Sequence, residues 1–318
     1  MAERRMGIIA FMLCVFMFLL MPQVQADSSI EVKEAISTEK NCSLMISYCS
    51  GGAAFSELPV RLYKIADVSA DFQYTLASPF EKSELILNGI QTVGEWNIVR
   101  STLEAYILAS GSSPDANTAT DSEGKATFDE LVPGLYLAIT DRVAQDDKIY
   151  VFDSALIALP GLGTDGLWQY QVEVTSKSQI IFPSEDDQDI ELKVLKLWKG
   201  DYSSMRPATV EVEIFRNGIS HQTVTLSEDN HWTYTWSVKD DGSDWKVVEC
   251  NVPAGYTMTV EERENSFTLT NTYNRDIPDD PDSPQTGAAL NIMLCFVLMI
   301  ISGTMLIILG IIGKRNRL

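Results

Sequence analysis

The sequence predicts an all-β chain: two β-sandwiches in tandem, the first with a helical insertion, followed by one C-terminal transmembrane helix. Three observations predict it. Short runs of alternating apolar and polar residues recur between turn signals from about residue 27 to residue 274. A polar, acidic stretch, Pro183-Ser-Glu-Asp-Asp-Gln-Asp189, divides those runs into two groups. Ala288 to Ile312 is nearly all apolar, long enough to cross a bilayer.

The first group, residues 27–182, is mixed. Leu44 to Tyr48, Val60 to Ile65, Lys125 to Phe128, Leu135 to Thr140, Ile149 to Leu159 and Gln169 to Thr175 read as strands. Trp96, Val99, Leu103 and Ile107 recur at three- and four-residue spacing, one face of a helix packed on a core. The second group, residues 190–274, reads as all-β. Val210 to Arg216 alternates, Asn217-Gly218 is a two-residue hairpin turn, and Ile219 to Leu226 returns. Trp232 to Trp236 alternates again, and Asp241-Gly242 marks a further turn.

A formal net charge of -20 argues against nucleic acid as a partner, since phosphate contacts need Lys and Arg patches. The five cysteines, Cys14, Cys42, Cys49, Cys250 and Cys295, show no zinc spacing. Cys42 and Cys49 are expected on one strand, about 23 Å apart, too far to pair when a bridge needs Cα atoms within about 7 Å. There are two histidines, His221 and His231, both in expected strand regions, and no HExxH, GxSxG or phosphate loop. Asp115 to Gly124 lacks calcium-loop spacing and reads as a turn. No metal, no cofactor and no conventional enzyme activity are expected.

The ends carry an address. Met1 to Ala26 reads as a signal peptide, with Arg4 and Arg5, an apolar Gly7 to Leu20, and Val24-Gln25-Ala26 as the small-residue cleavage site. At the other end, an acidic, Pro-rich spacer at 275–282 leads to Ser283-Pro284-Gln285-Thr286-Gly287. The apolar span at 288–312 and a basic tail at 313–318 with Lys314, Arg315 and Arg317 follow; the tail's charge keeps it cytoplasmic. This order resembles the sorting signal of sortase substrates, an LPXTG-like pentapeptide with Ser283 where the family usually has Leu. The resemblance implies that a sortase cysteine attacks the Thr286 carbonyl, releases Gly287 with the span, and passes the chain to an amine.

Period-two reading of residues 190–274 puts Leu192, Val194, Lys196 and Trp198 on one strand face. Phe267, Leu269, Asn271 and Tyr273 share another, and Trp245, Val247 and Glu249 a third. Each apolar face thus holds one polar residue, which would cost several kcal/mol if buried alone. Burial lowers a lysine pKa and raises a glutamate pKa, so a neutral Lys196 could attack the Asn271 carboxamide while Glu249 moves protons. A hydrogen-bonded polar cluster or a buried Lys–Glu pair remains the other reading of the same pattern.

The run Lys196-Leu197-Trp198, Arg206-Pro207, Asn217-Gly218, Trp232-Thr233-Tyr234-Thr235, Val247-Val248-Glu249, Pro253-Ala254-Gly255-Tyr256 and Phe267 to Tyr273 resembles the Cna B-type domain. The resemblance implies an inverse immunoglobulin-like sandwich with an intramolecular isopeptide bond. It puts the bond-forming lysine at Lys196, the catalytic glutamate at Glu249 and the acceptor at Asn271. Earlier in the chain, Arg61-Leu-Tyr-Lys-Ile-Ala-Asp-Val68, Leu87-Asn88-Gly89, Thr120-Asp121, Gly124 to Phe128 and Pro133-Gly134-Leu135-Tyr136-Leu137 resemble pilin domains of Gram-positive sortase-built pili. The run Trp168 to Lys177 resembles the pilin-motif strand whose lysine receives the next subunit, but Thr175-Ser176 stand where the family has Tyr-Pro. Lys177 is therefore the candidate pilin lysine.

Together these resemblances imply two tandem immunoglobulin-like β-sandwich domains plus one transmembrane helix. They imply a secreted, cell-wall-anchored surface protein, a minor (ancillary or basal) pilin or adhesin. Its partners would be sortase, peptidoglycan or other pilin subunits, and a host or extracellular-matrix ligand. The alternative function is a single-span, membrane-retained surface binding receptor.

Overall fold

The structure, a computed structural model, describes residues 34–145, 147–182 and 189–274. The expected signal peptide, nearly all of the expected linker, the spacer, the sorting motif Ser283 to Gly287 and the transmembrane helix lie outside the described residues. Among the described residues no helix is long and apolar enough to cross a membrane.

The architecture follows from which strands are apolar on one face and which on two. In the first part of the chain, Cys42–Ser47 runs parallel to Gln171–Thr175 and antiparallel to Lys125–Leu131. A larger sheet orders Ala155–Leu159, Gly134–Thr140, Pro59–Val68 and Tyr74–Leu76, with Ala116–Ala119 also paired to Pro59–Val68. Leu44, Ile46 and Phe128 of the smaller sheet pack with Val60, Leu62, Tyr136 and Ala138 of the larger one. The odd residues of Gly134–Thr140 point the other way: Leu135 and Leu137 join Tyr63, Ile65, Val99, Leu103 and Ile107 in a second core. The near-continuous apolar run Gly134-Leu-Tyr-Leu-Ala-Ile139 thus belongs to a strand buried on both faces, by a sheet on one side and a helix on the other.

That helix is Val93–Ser110. Thr92 and Glu95 close a capping box at its start, and Gly111 ends it in the left-handed region at φ 62°, where a residue without Cβ is unstrained. The expected stripe Trp96, Val99, Leu103 and Ile107 faces the second core, with Trp96 partly buried there.

Residues 189–274 form a four-stranded sheet in the order Thr233–Lys239, Asp189–Lys199, Ser266–Tyr273, Tyr256–Arg263, and a three-stranded sheet in the order Ile219–Ser227, Thr209–Arg216, Trp245–Glu249. The first and last strands lie side by side and parallel. One core lies between the sheets, built from Leu192, Val194, Val212, Ile214, Val247, Phe267 and Leu269 among others. Asn217 and Gly218 turn the hairpin with φ 51° and 76°, the positive pair that a two-residue turn of matching twist requires.

The helix has a second buried side. Ala105 and Leu108 join the core of the 189–274 sandwich. The Thr102 hydroxyl accepts the Val260 amide at 2.8 Å and donates to the Ile98 carbonyl. Lys246 reaches Glu104 of the helix at 3.2 Å and Glu262 at 2.7 Å. Arg142 binds the Gly242 carbonyl and Asp244. A Cβ on Gly242 would fall 2.6 Å from the Ile149 side chain. The described residues up to Asn274 accordingly form one compact unit.

Several strand readings need correction. Cys42 and Cys49 do not share a strand: Tyr48 turns its backbone to pair with Gly124, and Cys49 opens the short hairpin Cys49–Ser50 with Ala53–Ala54. Cys42 is buried, Cys49 and Cys250 are exposed, and all three are free. Ile149 to Leu159 splits into Lys148–Phe152 and Ala155–Leu159, and Gln169 to Thr175 breaks at Tyr170. Asp115 to Gly124 is not all turn, since Ala116–Ala119 is a strand. His231 and Trp232 lie outside strands, at φ 53° and 56°.

Candidate functional site

Strand register brings the three polar residues together. In the parallel pair of first and last strands, Lys196 stands opposite Leu269 and Trp198 opposite Asn271. Lys196 and Asn271 are therefore diagonal neighbours on the inward face, within reach of a long side chain. Glu249 comes from the opposing sheet, at the end of Trp245–Glu249.

All three are buried: Asn271 is 0 % exposed, Lys196 2 % and Glu249 3 %. Glu249 bridges the other two. Its Oε1 accepts Asn271 Nδ2 at 3.0 Å, and its Oε2 lies 3.2 Å from Lys196 Nζ. Oε2 and Asn271 Oδ1 have no aligned hydrogen-bond donor among the described residues. Lys196 Nζ also lies 4.5 Å from the centre of the Trp198 ring. The cluster is not one that stability alone would select, because a well-packed apolar trio is generally at least as stable as a buried charge pair.

The electrostatics favour proton exchange between the pair. Burial brings the Lys196 ammonium down to about 8, against the pull of the Glu249 charge. Burial likewise raises the Glu249 carboxyl, against the pull of Lys196. Each shift moves the pair towards neutral amine and neutral acid.

Lys246, a partly buried lysine, behaves in the opposite sense. Burial pulls Lys246 down, but Glu104 and Glu262 outweigh it and hold it above the usual lysine range. Two carboxylates keep Lys246 a cation; one carboxylate and an amide leave Lys196 able to lose its proton.

Lys177 lies exposed between Gln171–Thr175 and Ser178–Ile181, its carbonyl bound by the Asp153 amide. It is remote in sequence from the buried cluster and takes no part in it. No cluster of metal-ligating side chains occurs among the described residues. Period-two reading finds the three buried polar groups but passes over Asp201, whose side chain is 1 % exposed beside Arg206. Its signal in the sequence is an Asp five residues before an Arg in the loop that leaves the Lys196 strand.

Comparison with known proteins bears on the stretch that carries these residues. Residues 192–272 match the family described as the Cna protein B-type domain. The collagen adhesin of Staphylococcus aureus is 29% identical over 101 residues, which cover 29% of this chain and 8% of that protein. Among solved structures, a single B repeat unit of the Staphylococcus aureus collagen-binding surface protein aligns at 16% identity and TM-score 0.25, covering 74% of this chain and 100% of that one. The full-length major pilin SpaD of Corynebacterium diphtheriae aligns at 11% and 0.29, covering 76% and 99%. The minor pilin GBS52 of Streptococcus agalactiae aligns at 15% and 0.24, covering 76% and 100%. At these TM-scores the superpositions fix no common overall architecture, and the likeness to the B-type domain rests on the sequence match over residues 192–272.

Proposed function

We propose that the chain is a surface subunit of a Gram-positive bacterium, a minor pilin or adhesin joined to the wall or to a pilus by sortase. In this reading its B-type domain is closed by an amide between Lys196 and Asn271. The observation that carries the reading is the convergence of a buried amine and a buried carboxamide on the two oxygens of one buried carboxylate.

The chemistry follows from that arrangement. Glu249 takes a proton from the Lys196 ammonium, leaving a neutral amine and a neutral acid. The amine attacks Cγ of Asn271, forming the C–N bond and leaving the negative charge on Oδ1, while Glu249 stays between Nζ and Nδ2 as the proton carrier. As the tetrahedral intermediate collapses, the bond from Cγ to Nδ2 breaks. Nδ2 leaves as ammonia, with the proton that the amine gives up relayed through Glu249. Neither an oxidant nor a metal enters the balance.

The cross-link joins the first and last strands of the sandwich. Tension along the chain would pass through a covalent bond rather than through the hydrogen-bond ladder between strands, a property suited to a stalk. Lys177, exposed and at the end of the pilin-like run, is the attachment lysine in this reading if the subunit is extended. Ser283 to Gly287 is the site that sortase cleaves.

The test is the mass of recombinant residues 27–274. The wild-type chain should be lighter than its sequence by about 17 Da, one ammonia lost in the acyl transfer. Glu249→Ala and Asn271→Ala should each restore the full mass. A wild-type chain of full sequence mass contradicts the bond.

A further inference from the structure

Asp201 is a buried carboxylate that the bond-forming chemistry does not use. Gly200, at φ 68°, lets the chain turn sharply out of Asp189–Lys199, and Asp201 folds back against the end of the sandwich. Arg206 grips it with two hydrogen bonds, Nε to Oδ2 at 2.9 Å and Nη2 to Oδ1 at 3.0 Å. The Tyr256 hydroxyl donates to the same Oδ2 at 2.8 Å. Burial opposes the charge on Asp201, but these donors outweigh it and hold the carboxyl below its usual value. It is therefore a fixed anion at neutral pH.

What Asp201 holds is an aromatic layer. The Tyr256 ring meets the Trp198 ring edge-on at 5.3 Å, and Trp232 meets Trp198 at the same distance. The Arg206 guanidinium lies 5.8 Å from the Trp198 ring. Trp198 in turn lies over Lys196 Nζ. Its own indole N–H is buried without a partner among the described residues. An unpartnered buried donor is a cost, and the ring is kept there by its neighbours rather than by that N–H.

We propose that Asp201, Arg206 and Tyr256 form a brace that presses Trp198 over the Lys196 amine as a cap, and that the closed cap sets the rate at which Lys196 and Asn271 cross-link. Asp201 and Trp198 are positioning residues: neither touches the Asn271 carboxamide in any hydrogen bond of the structure. The cap excludes water from the amine, and exclusion of water is what favours its neutral, nucleophilic form. With the cap loosened, water solvates the ammonium, and attack waits for a proton to be lost to solvent. The inference rests on the proposed amide bond and adds a determinant of its speed.

The experiment follows intact mass against time after purification, at several pH values, for residues 27–274. Wild type should have lost its ammonia completely at the first sampling. Trp198→Leu and Asp201→Ala should fold, by circular dichroism, yet begin as mixtures that advance over hours, faster at about pH 9 than at pH 7 as an ordinary amine titrates. Trp198→Phe keeps an aromatic cap and should restore complete reaction. Should Trp198→Leu not fold, Tyr256→Phe, which removes one hydrogen bond of the brace, should show a shorter lag of the same pH dependence. Complete reaction of Trp198→Leu and Asp201→Ala at the first sampling overturns the proposal, and so does a lag that does not change with pH, which marks slow folding. A wild-type chain that loses no ammonia fails at the earlier step, the bond itself.

Discussion

Lys196 and Lys246 show how neighbours decide what a buried lysine does. Lys196 is fully buried and Lys246 partly so, its side chain 21 % exposed, and burial lowers both. Lys246 gains two carboxylates and stays charged, whereas Lys196 shares one carboxylate with an amide. A pH dependence follows for a chain that cannot cross-link. Burial lowers Lys196 to about 8 from the ordinary 10.5, and Asn271→Ala, which leaves that burial in place, should keep the folded state low while the unfolded chain has the ordinary value. Between those values the unfolded state binds more protons, so stability rises with pH, and it is lost as pH falls through the folded value. The urea midpoint of Asn271→Ala should therefore increase from pH 8 to pH 10.5 relative to Asn271→Ala with Lys196→Met. Parallel midpoints for the two variants would show that Lys196 is not held in its neutral form. The grouping of Lys196, Glu249 and Asn271 was legible because a strand puts every second side chain on one face, and a lone polar residue on an apolar face stands out. Asp201 was not legible that way. It sits in a loop with no period, and only the fold brings Tyr256, some fifty residues later, to its carboxylate.

At the scale of elements, the helix Val93–Ser110 does two jobs. Its stripe Trp96, Val99, Leu103 and Ile107 was readable from spacing, since helical period is local. Its second side was not, because Thr102, Ala105 and Glu104 read as an ordinary polar or small surface until the other sandwich arrives. Tyr256–Arg263 is the outer strand of its sheet, and an uncovered edge invites pairing with other chains. Thr102 satisfies the Val260 amide on that edge. Thr102→Val keeps the volume and removes the acceptor, leaving the amide buried and unpaired at a cost of about 1–3 kcal/mol. Hydrogen exchange of the Val260 amide should speed up accordingly, with exchange in Thr209–Arg216 little changed. Unaltered exchange at Val260 would mean that the helix does not cover the edge. Strand breaks such as Tyr48 and Tyr170 were invisible in the sequence, for the apolar alternation continues through them while the backbone changes partner.

For the molecule as a whole, the sequence motifs and the folded unit bear on different parts of one account. The proposed address lies in Met1 to Ala26 and in Ser283 to Leu318; the proposed cross-link lies in the sandwich of residues 189–274. Composition and turn spacing made the β-rich character legible. The packing of both sandwiches on one helix was not, since the acidic stretch between them suggested separation and no local pattern encodes a contact between distant surfaces. If sortase joins this subunit to the wall, Thr286→Ala should move it from the muramidase-released fraction to the detergent-extracted membrane. Unchanged release by muramidase would sink the anchoring claim and leave the proposed cross-link untouched. The cross-link itself should restrict the unfolded chain by a loop-closure effect on the order of 4 kcal/mol. Loss of it in Glu249→Ala should lower the melting temperature by about 10 °C for a unit of this size.

The most direct measurement is a tryptic map of residues 27–275, with the peptides read by tandem mass spectrometry. An amide on Lys196 blocks cleavage there and ties Val194–Lys199 to Glu264–Arg275. The account predicts that branched peptide, lighter by about 17 Da than the sum of its two parts, with fragment ions placing the junction at Lys196 and Asn271. Recovery of free Val194–Lys196 and an unmodified Glu264–Arg275 would contradict it, and the three residues would be a hydrogen-bonded polar cluster and nothing more.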